Sequence, residues 1–139
     1  MKRTYRYKIK KGFTLIELML VVAIILVLLG FMVPKFSAYQ DKVRTTKAIN
    51  TAKQIETAAM ASYGDNDGKF DETNVKECIS ALTSAEKTNI SAGSDDQLIN
   101  ISYESDNNTY TLQINAANNS YTVKKGNSQI FPKNVSNEE

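Results

Sequence analysis

A carboxylate inside an apolar run is the chemical group of greatest interest in this sequence. Glu17 precedes Leu18–Val33, a stretch with no charged side chain. On insertion scales such a charge costs about 2.5–3.5 kcal/mol at the centre of a membrane and less nearer its surface. A group kept there at that cost is a candidate functional residue. Gly12 stands five residues before it, after Lys10 and Lys11. Having no side chain, Gly12 lets a protease approach the backbone closely. A cut after it would leave a cationic amine on Phe13, one helical turn from Glu17. At ~4 Å and an effective dielectric near 20, that pair attracts by about 4 kcal/mol before desolvation is subtracted. A neighbouring copy in a staggered bundle could supply the same amine, so Glu17 can fix the register between copies. The alternative is that Glu17 faces lipid headgroups and does little.

Other chemistry is sparse. There is no histidine, the commonest general base and metal ligand. Cys78 is the sole cysteine, so no intrachain disulfide can form, and it reads as a small core residue. No nucleophile motif, phosphate loop or metal spacing is present, so neither enzymatic activity nor a cofactor is expected. The weak exception is Asp65-Asn66-Asp67-Gly68-Lys69-Phe70-Asp71-Glu72. Asp65, Asp67 and Asp71 suggest part of a calcium loop, but no Glu follows six residues after the Gly. A turn with a helix start at Asp71–Thr73 is the preferred reading.

The elements that must position Gly12, Phe13 and Glu17 follow from the pattern around them. Six bases and no acid precede Gly12. This excess predicts that the N-terminal end stays cytoplasmic and the rest lies outside. Phe13–Val33 gives about 21 residues with one charge, or roughly 32 Å of helix, enough for a ~30 Å hydrocarbon core. Val33-Pro34-Lys35-Phe36 is a poor exit for an ordinary signal peptidase, which needs small residues. The apolar helix is therefore expected to be retained.

Gly12-Phe13-Thr14-Leu15-Ile16-Glu17, the apolar run, Lys10-Lys11 and Pro34 together resemble the class III signal of type IV pilins and pseudopilins. The resemblance covers residues 8–40. It implies that prepilin peptidase, a membrane aspartyl enzyme, cuts between Gly12 and Phe13 and methylates the new amine of Phe13. It implies residues 1–12 as a removed leader, 13–33 as a transmembrane and filament-core helix, and 34–139 as the amphipathic half of that helix plus a globular head. Before assembly the chain would be a single-pass protein of the cytoplasmic membrane, in contact with lipid. Afterwards it would be one of many copies in an extracellular helical filament built by the pilus assembly machinery. Many members carry Gly where this chain has Leu26; here Gly30 precedes Pro34 by four residues instead. Pro34 deprives the Gly30 carbonyl of its helical partner, so Gly30–Pro34 is the expected weak point, and in similar filaments this region unwinds. An adhesive or motility pilus is the favoured reading; a pseudopilin of a DNA-uptake or type II secretion system is the alternative. Many similar chains from Gram-negative sources close their C-terminal region with a disulfide. Its absence fits a Gram-positive source or a pseudopilin.

After Pro34 the apolar residues Phe36, Tyr39, Val43, Ile49, Ala52, Ile55, Ala59 and Tyr63 recur at helical spacing, with Gly64 as the expected stop. A short helix should bury Val75, Cys78, Ile79 and Leu82. From Gln97 the period becomes two, with strands at Leu98–Tyr103, Tyr110–Ile114 and Tyr121–Lys124. The expected fold is α+β: one long N-terminal helix, its second half packed on three or four antiparallel strands. Leu112, Ile114, Tyr121 and Val123 are the expected core, and Asn134–Glu139 a loose tail.

Charge is segregated. Removing the first 12 residues leaves 11 basic side chains against 15 acidic ones. Residues 35–53 carry five bases and one acid; from residue 54 onward there are 13 acids and six bases. An acidic head without interleaved aromatic and basic residues argues against nucleic acid as a partner.

Overall fold

A computed structural model describes residues 11–133. The expected leader (all but Lys11 and Gly12) and the expected loose tail lie outside the described residues. The chain divides into two compact units, one up to Gln40 and one from Asp41.

α1 spans Leu15–Asp65 and runs without interruption through Gly30 and Pro34. In the first unit it has no buried core among the described residues. The large apolar side chains from Phe13 to Val33 are all exposed, from 47% at Val22 to 85% at Phe13.

The second unit has a core. From Asp41 onward, α1 buries Ala48, Ala52, Ile55, Ala58, Ala59 and Ser62. Spacings of three and four place them on one face, and the small alanines let other elements approach closely. The expected stripe is therefore corrected at its start. Phe36, Tyr39 and Val43 are 58%, 64% and 47% exposed. Burial begins at Ala48, whose modest hydrophobicity hid it.

α1 also ends later than expected. Gly64 is helical, and the chain turns at Asp67 and Gly68, both at positive φ (52° and 75°). The Gly68 N–H donates to the Tyr63 carbonyl at 3.1 Å, closing the last turn as a left-handed C-terminal cap does. Asp71 then caps α2 (Glu72–Leu82), its Oδ1 accepting from the Thr73 and Asn74 N–H groups at 3.0 Å each. Val75 and Ile79 of α2 are buried and Cys78 is half-buried, but Leu82 is 65% exposed. Leu82 falls in the last turn, beyond the buried stripe.

Five antiparallel strands form one sheet in the order β1-β2-β3-β4-β5: β1 Glu86–Ala92, β2 Leu98–Ser105, β3 Asn108–Asn115, β4 Ser120–Lys125 and β5 Ser128–Phe131. β2 alternates between half-buried and buried along its whole length, as a strand with one covered face must. β2 and β3 are joined by Asp106-Asn107, both at positive φ, the backbone a two-residue hairpin needs. Leu112, Ile114 and Val123 are in the core as expected, Tyr121 is packed against it, and Ile99, Ile101, Tyr103 and Tyr110 join them. Tyr103 donates its hydroxyl to the Ala48 carbonyl at 2.7 Å, tying β2 to α1.

Candidate processing and assembly site

Gly12 and Phe13 precede α1 and are exposed. A Cβ added at Gly12 would meet nothing within 4 Å, so the backbone there is open to an enzyme. Thr14 is the N-cap and Glu17 occupies the third helical position. Glu17 Oε2 accepts from the Thr14 N–H at 2.8 Å and from the Thr14 hydroxyl at 2.8 Å. The Glu17 N–H donates to Thr14 Oγ1 at 3.3 Å. This is a reciprocal capping box, which satisfies two N–H groups that a helix start leaves without partners.

The Glu17 carboxylate is thus held in place within its own chain. It sits at the positive end of the helix dipole, where an anion is favoured. Both bonds fall on Oε2, and a carboxylate offers about four acceptor positions. Oε1 has no partner among the described residues and can accept from a further donor. The Thr-x-x-Glu spacing was visible in the sequence; reading Glu17 only against the Phe13 amine overlooked it.

The other expected site residues lie elsewhere. Gly30 and Pro34 are within α1, thirteen or more residues beyond Glu17, or about 20 Å along the axis. Asp65 ends α1, Asp67 lies in the turn and Asp71 caps α2. Among the described residues no three carboxylate, thiolate or imidazole groups gather as metal ligands. α1 contains a stretch long and apolar enough to cross a membrane, and none of that stretch is buried within the chain.

Residues 7–33 match the prokaryotic N-terminal methylation motif. This stretch contains Gly12, Phe13, Thr14, Glu17 and the apolar helix. In this stretch and beyond it the chain is similar to type IV pilins and fimbrial proteins. It is 42% identical over 55 residues to a fimbrial protein of Pseudomonas aeruginosa, covering 40% of this chain and 36% of that one. It is 34% identical over 76 residues to the type IV major pilin protein PilE1 of Neisseria gonorrhoeae, covering 55% and 46%. With the type IV major pilin protein PilA of Myxococcus xanthus it shares 38% identity over 64 residues, covering 46% and 29%. The chain therefore spans less than half the length of these pilin relatives. No solved structure matches it.

Proposed function

We propose that the chain is a structural subunit of a type IV pilus, with no catalytic role of its own. In this reading residues 1–12 are a leader, 13–33 a retained core helix, and 34–139 the rest of the helix and the head. Prepilin peptidase cuts between Gly12 and Phe13 and methylates Phe13. Before assembly the helix spans the cytoplasmic membrane with its N-terminus inside. Assembly machinery then transfers it, helix against helix, into an extracellular filament for adhesion or motility. The relatives matched are fimbrial proteins and major pilins, which favours a pilus over a pseudopilus.

One observation carries the reading: a membrane-length apolar helix that the chain leaves wholly uncovered, headed by an anchored carboxylate. Lipid can cover such a surface first, and other copies of the same helix afterwards. In transit Thr14 holds Glu17 and offsets part of the cost of a carboxylate near the bilayer. In the filament Glu17 Oε1 accepts from the methylated amine of a neighbouring Phe13, and Gly30–Pro34 gives way as the helices pack.

The test is to shear filaments from cells carrying the parent chain or Glu17→Gln, which keeps the size but removes the charge. Parent chain in the filament fraction, with the variant held back in the membrane, is the expected result. A parent chain found only in the membrane of cells that bear filaments would overturn the reading.

A further inference from the structure

The unit from Asp41 onward has charges at two opposite ends, both measured along its own portion of α1. At one end Lys42, Arg44 and Lys47 project from α1 and Lys125 joins them. The Lys125 Nζ lies 5.9 Å from the centre of the Tyr110 ring. The Tyr110 phenol is pushed up by burial and by Asp106 and pulled back by the Arg44 guanidinium, which places both charges beside that ring. Two acids temper this end. Asp106 holds Lys47 at 2.6 Å, and Asp41 lies 3.7 Å from Arg44. Lys42 and Lys125 have no acidic partner among the described residues, and both are exposed.

At the other end α1 finishes at Asp65 with no basic residue in its last turn. Asp67, Asp71 and Glu72 follow in the turn and at the head of α2. The β1–β2 connection brings Asp95 and Asp96 alongside, since the Phe70 N–H donates to the Asp96 carbonyl at 2.9 Å and Glu72 accepts from the Ala92 N–H at 2.8 Å. Lys69 is the one base here among the described residues, 3.4 Å from Asp96. The carboxylates of Asp65, Asp67 and Asp95 have no partner among the described residues. The C-terminal end of α1 adds further negative character.

From Arg44 to Asp65 is 21 residues of helix, or about 31 Å. The Debye length at physiological ionic strength is about 8 Å. The two ends therefore cannot neutralise each other within one copy, while each attracts the opposite end of another.

We propose that copies of this chain pack end to end through this unit, the basic end around Lys42 and Lys125 of one against the acidic end around Asp65 and Asp95 of the next. The inference rests on the filament reading and adds a direction to it: the contact is heterologous, so it propagates rather than closing into a pair.

The experiment uses the full chain in cells, reading the amount in sheared surface filaments against the amount in the membrane. One variant carries Lys42→Glu with Lys125→Glu. A second carries Asp65→Lys with Asp95→Lys. A third carries all four changes. These side chains are exposed and none makes a side-chain hydrogen bond or ion pair among the described residues, so the fold has no reason to fail; thermal melting of the detergent-extracted chain verifies this. The first two variants should lose filament several-fold at unchanged membrane level, and the third, with its ends exchanged in sign, should recover it. The losses should deepen at low salt and shrink toward ~1 M salt, where the Debye length is about 3 Å.

Parental yields in both two-site variants would overturn the proposal and leave the filament reading standing. Loss with the basic-end changes alone would mean that this end meets something other than an acidic end, and would equally overturn it. So would a four-site variant that melts like the parent but remains depleted. A parent chain absent from filaments altogether would remove the filament reading and this inference together.

Discussion

Thr14 and Glu17 share three hydrogen bonds within one turn, so a change at Thr14 should be felt through Glu17. Thr14→Ala removes the hydroxyl that both donates to the carboxylate and accepts from its N–H, whereas Thr14→Ser retains it. We expect Thr14→Ala to lower incorporation into filaments and Thr14→Ser to restore it, measured as the filament-to-membrane ratio. Equal loss in both would mean that the threonine methyl matters and the capping box does not. In the second unit, Tyr103 is the buried residue whose chemistry is most exposed to test. Burial first, and the neighbouring Tyr110 and Tyr121 second, push its phenol well above the usual value of 10. The folded state then keeps its proton at a pH where the unfolded chain loses it. Stability is fully present below about pH 10 and falls as pH rises toward the folded value. Tyr103→Phe should flatten part of that alkaline loss. At neutral pH it should cost about 0.5–1.5 kcal/mol, because the Ala48 carbonyl loses the phenol but keeps its helical partner.

Each helix boundary depends on one or two residues. Asp71→Ala removes the N-cap of α2 and should destabilise the second unit by about 1 kcal/mol in chemical denaturation. Gly93→Ala should cost more. A Cβ there would meet the Leu98 carbonyl oxygen at 2.6 Å, and the Gly93 N–H already donates to that oxygen at 2.9 Å. The turn before β2 would have to open, and the melting temperature should fall further than for Asp71→Ala. The Gly30–Pro34 stretch is helical in the isolated chain. Pro34→Ala should slow amide exchange across it by restoring the missing helical hydrogen bond. These elements were legible to different degrees. β2 and β3 alternate clearly because one face is covered, and β4 is legible from Tyr121 and Val123 two residues apart. β1 is not, because it is an edge strand in which only Thr88 and Ile90 are half-buried and Lys87 sits at positive φ beside a register shift. β5 has only four residues, too few to show a period. The expected stripe of α1 starts before the buried one because Phe36 and Tyr39 outweigh alanines in any hydrophobic count, and those two rings stay exposed.

For the whole molecule, the order of residues at the N-terminus is legible in the sequence, but how the parts are held is not. Gly12, Phe13, Glu17 and the uninterrupted apolar run were readable because their chemistry depends on order along the chain. The grouping of Asp65, Asp71 and Asp95 around one end of the second unit depends on a turn and a strand that had to be folded first. Charge links the two levels. The full chain carries a net +2, and loss of the first 12 residues leaves 11 bases against 15 acids. Processing should therefore move the isoelectric point from about 8.6 to the acidic side. Isoelectric focusing of the membrane and filament forms checks this, and a basic filament form would contradict it.

The central claim is that the chain is cut at Gly12 and keeps its apolar helix for assembly. Intact mass and N-terminal sequencing of the chain recovered from filaments, from cells with and without prepilin peptidase, test it most directly. The account predicts a chain that begins at methylated Phe13 and is found in filaments only when the peptidase is present. A chain that retains Met1, or one that has lost the whole apolar segment by cleavage near Pro34, would contradict it.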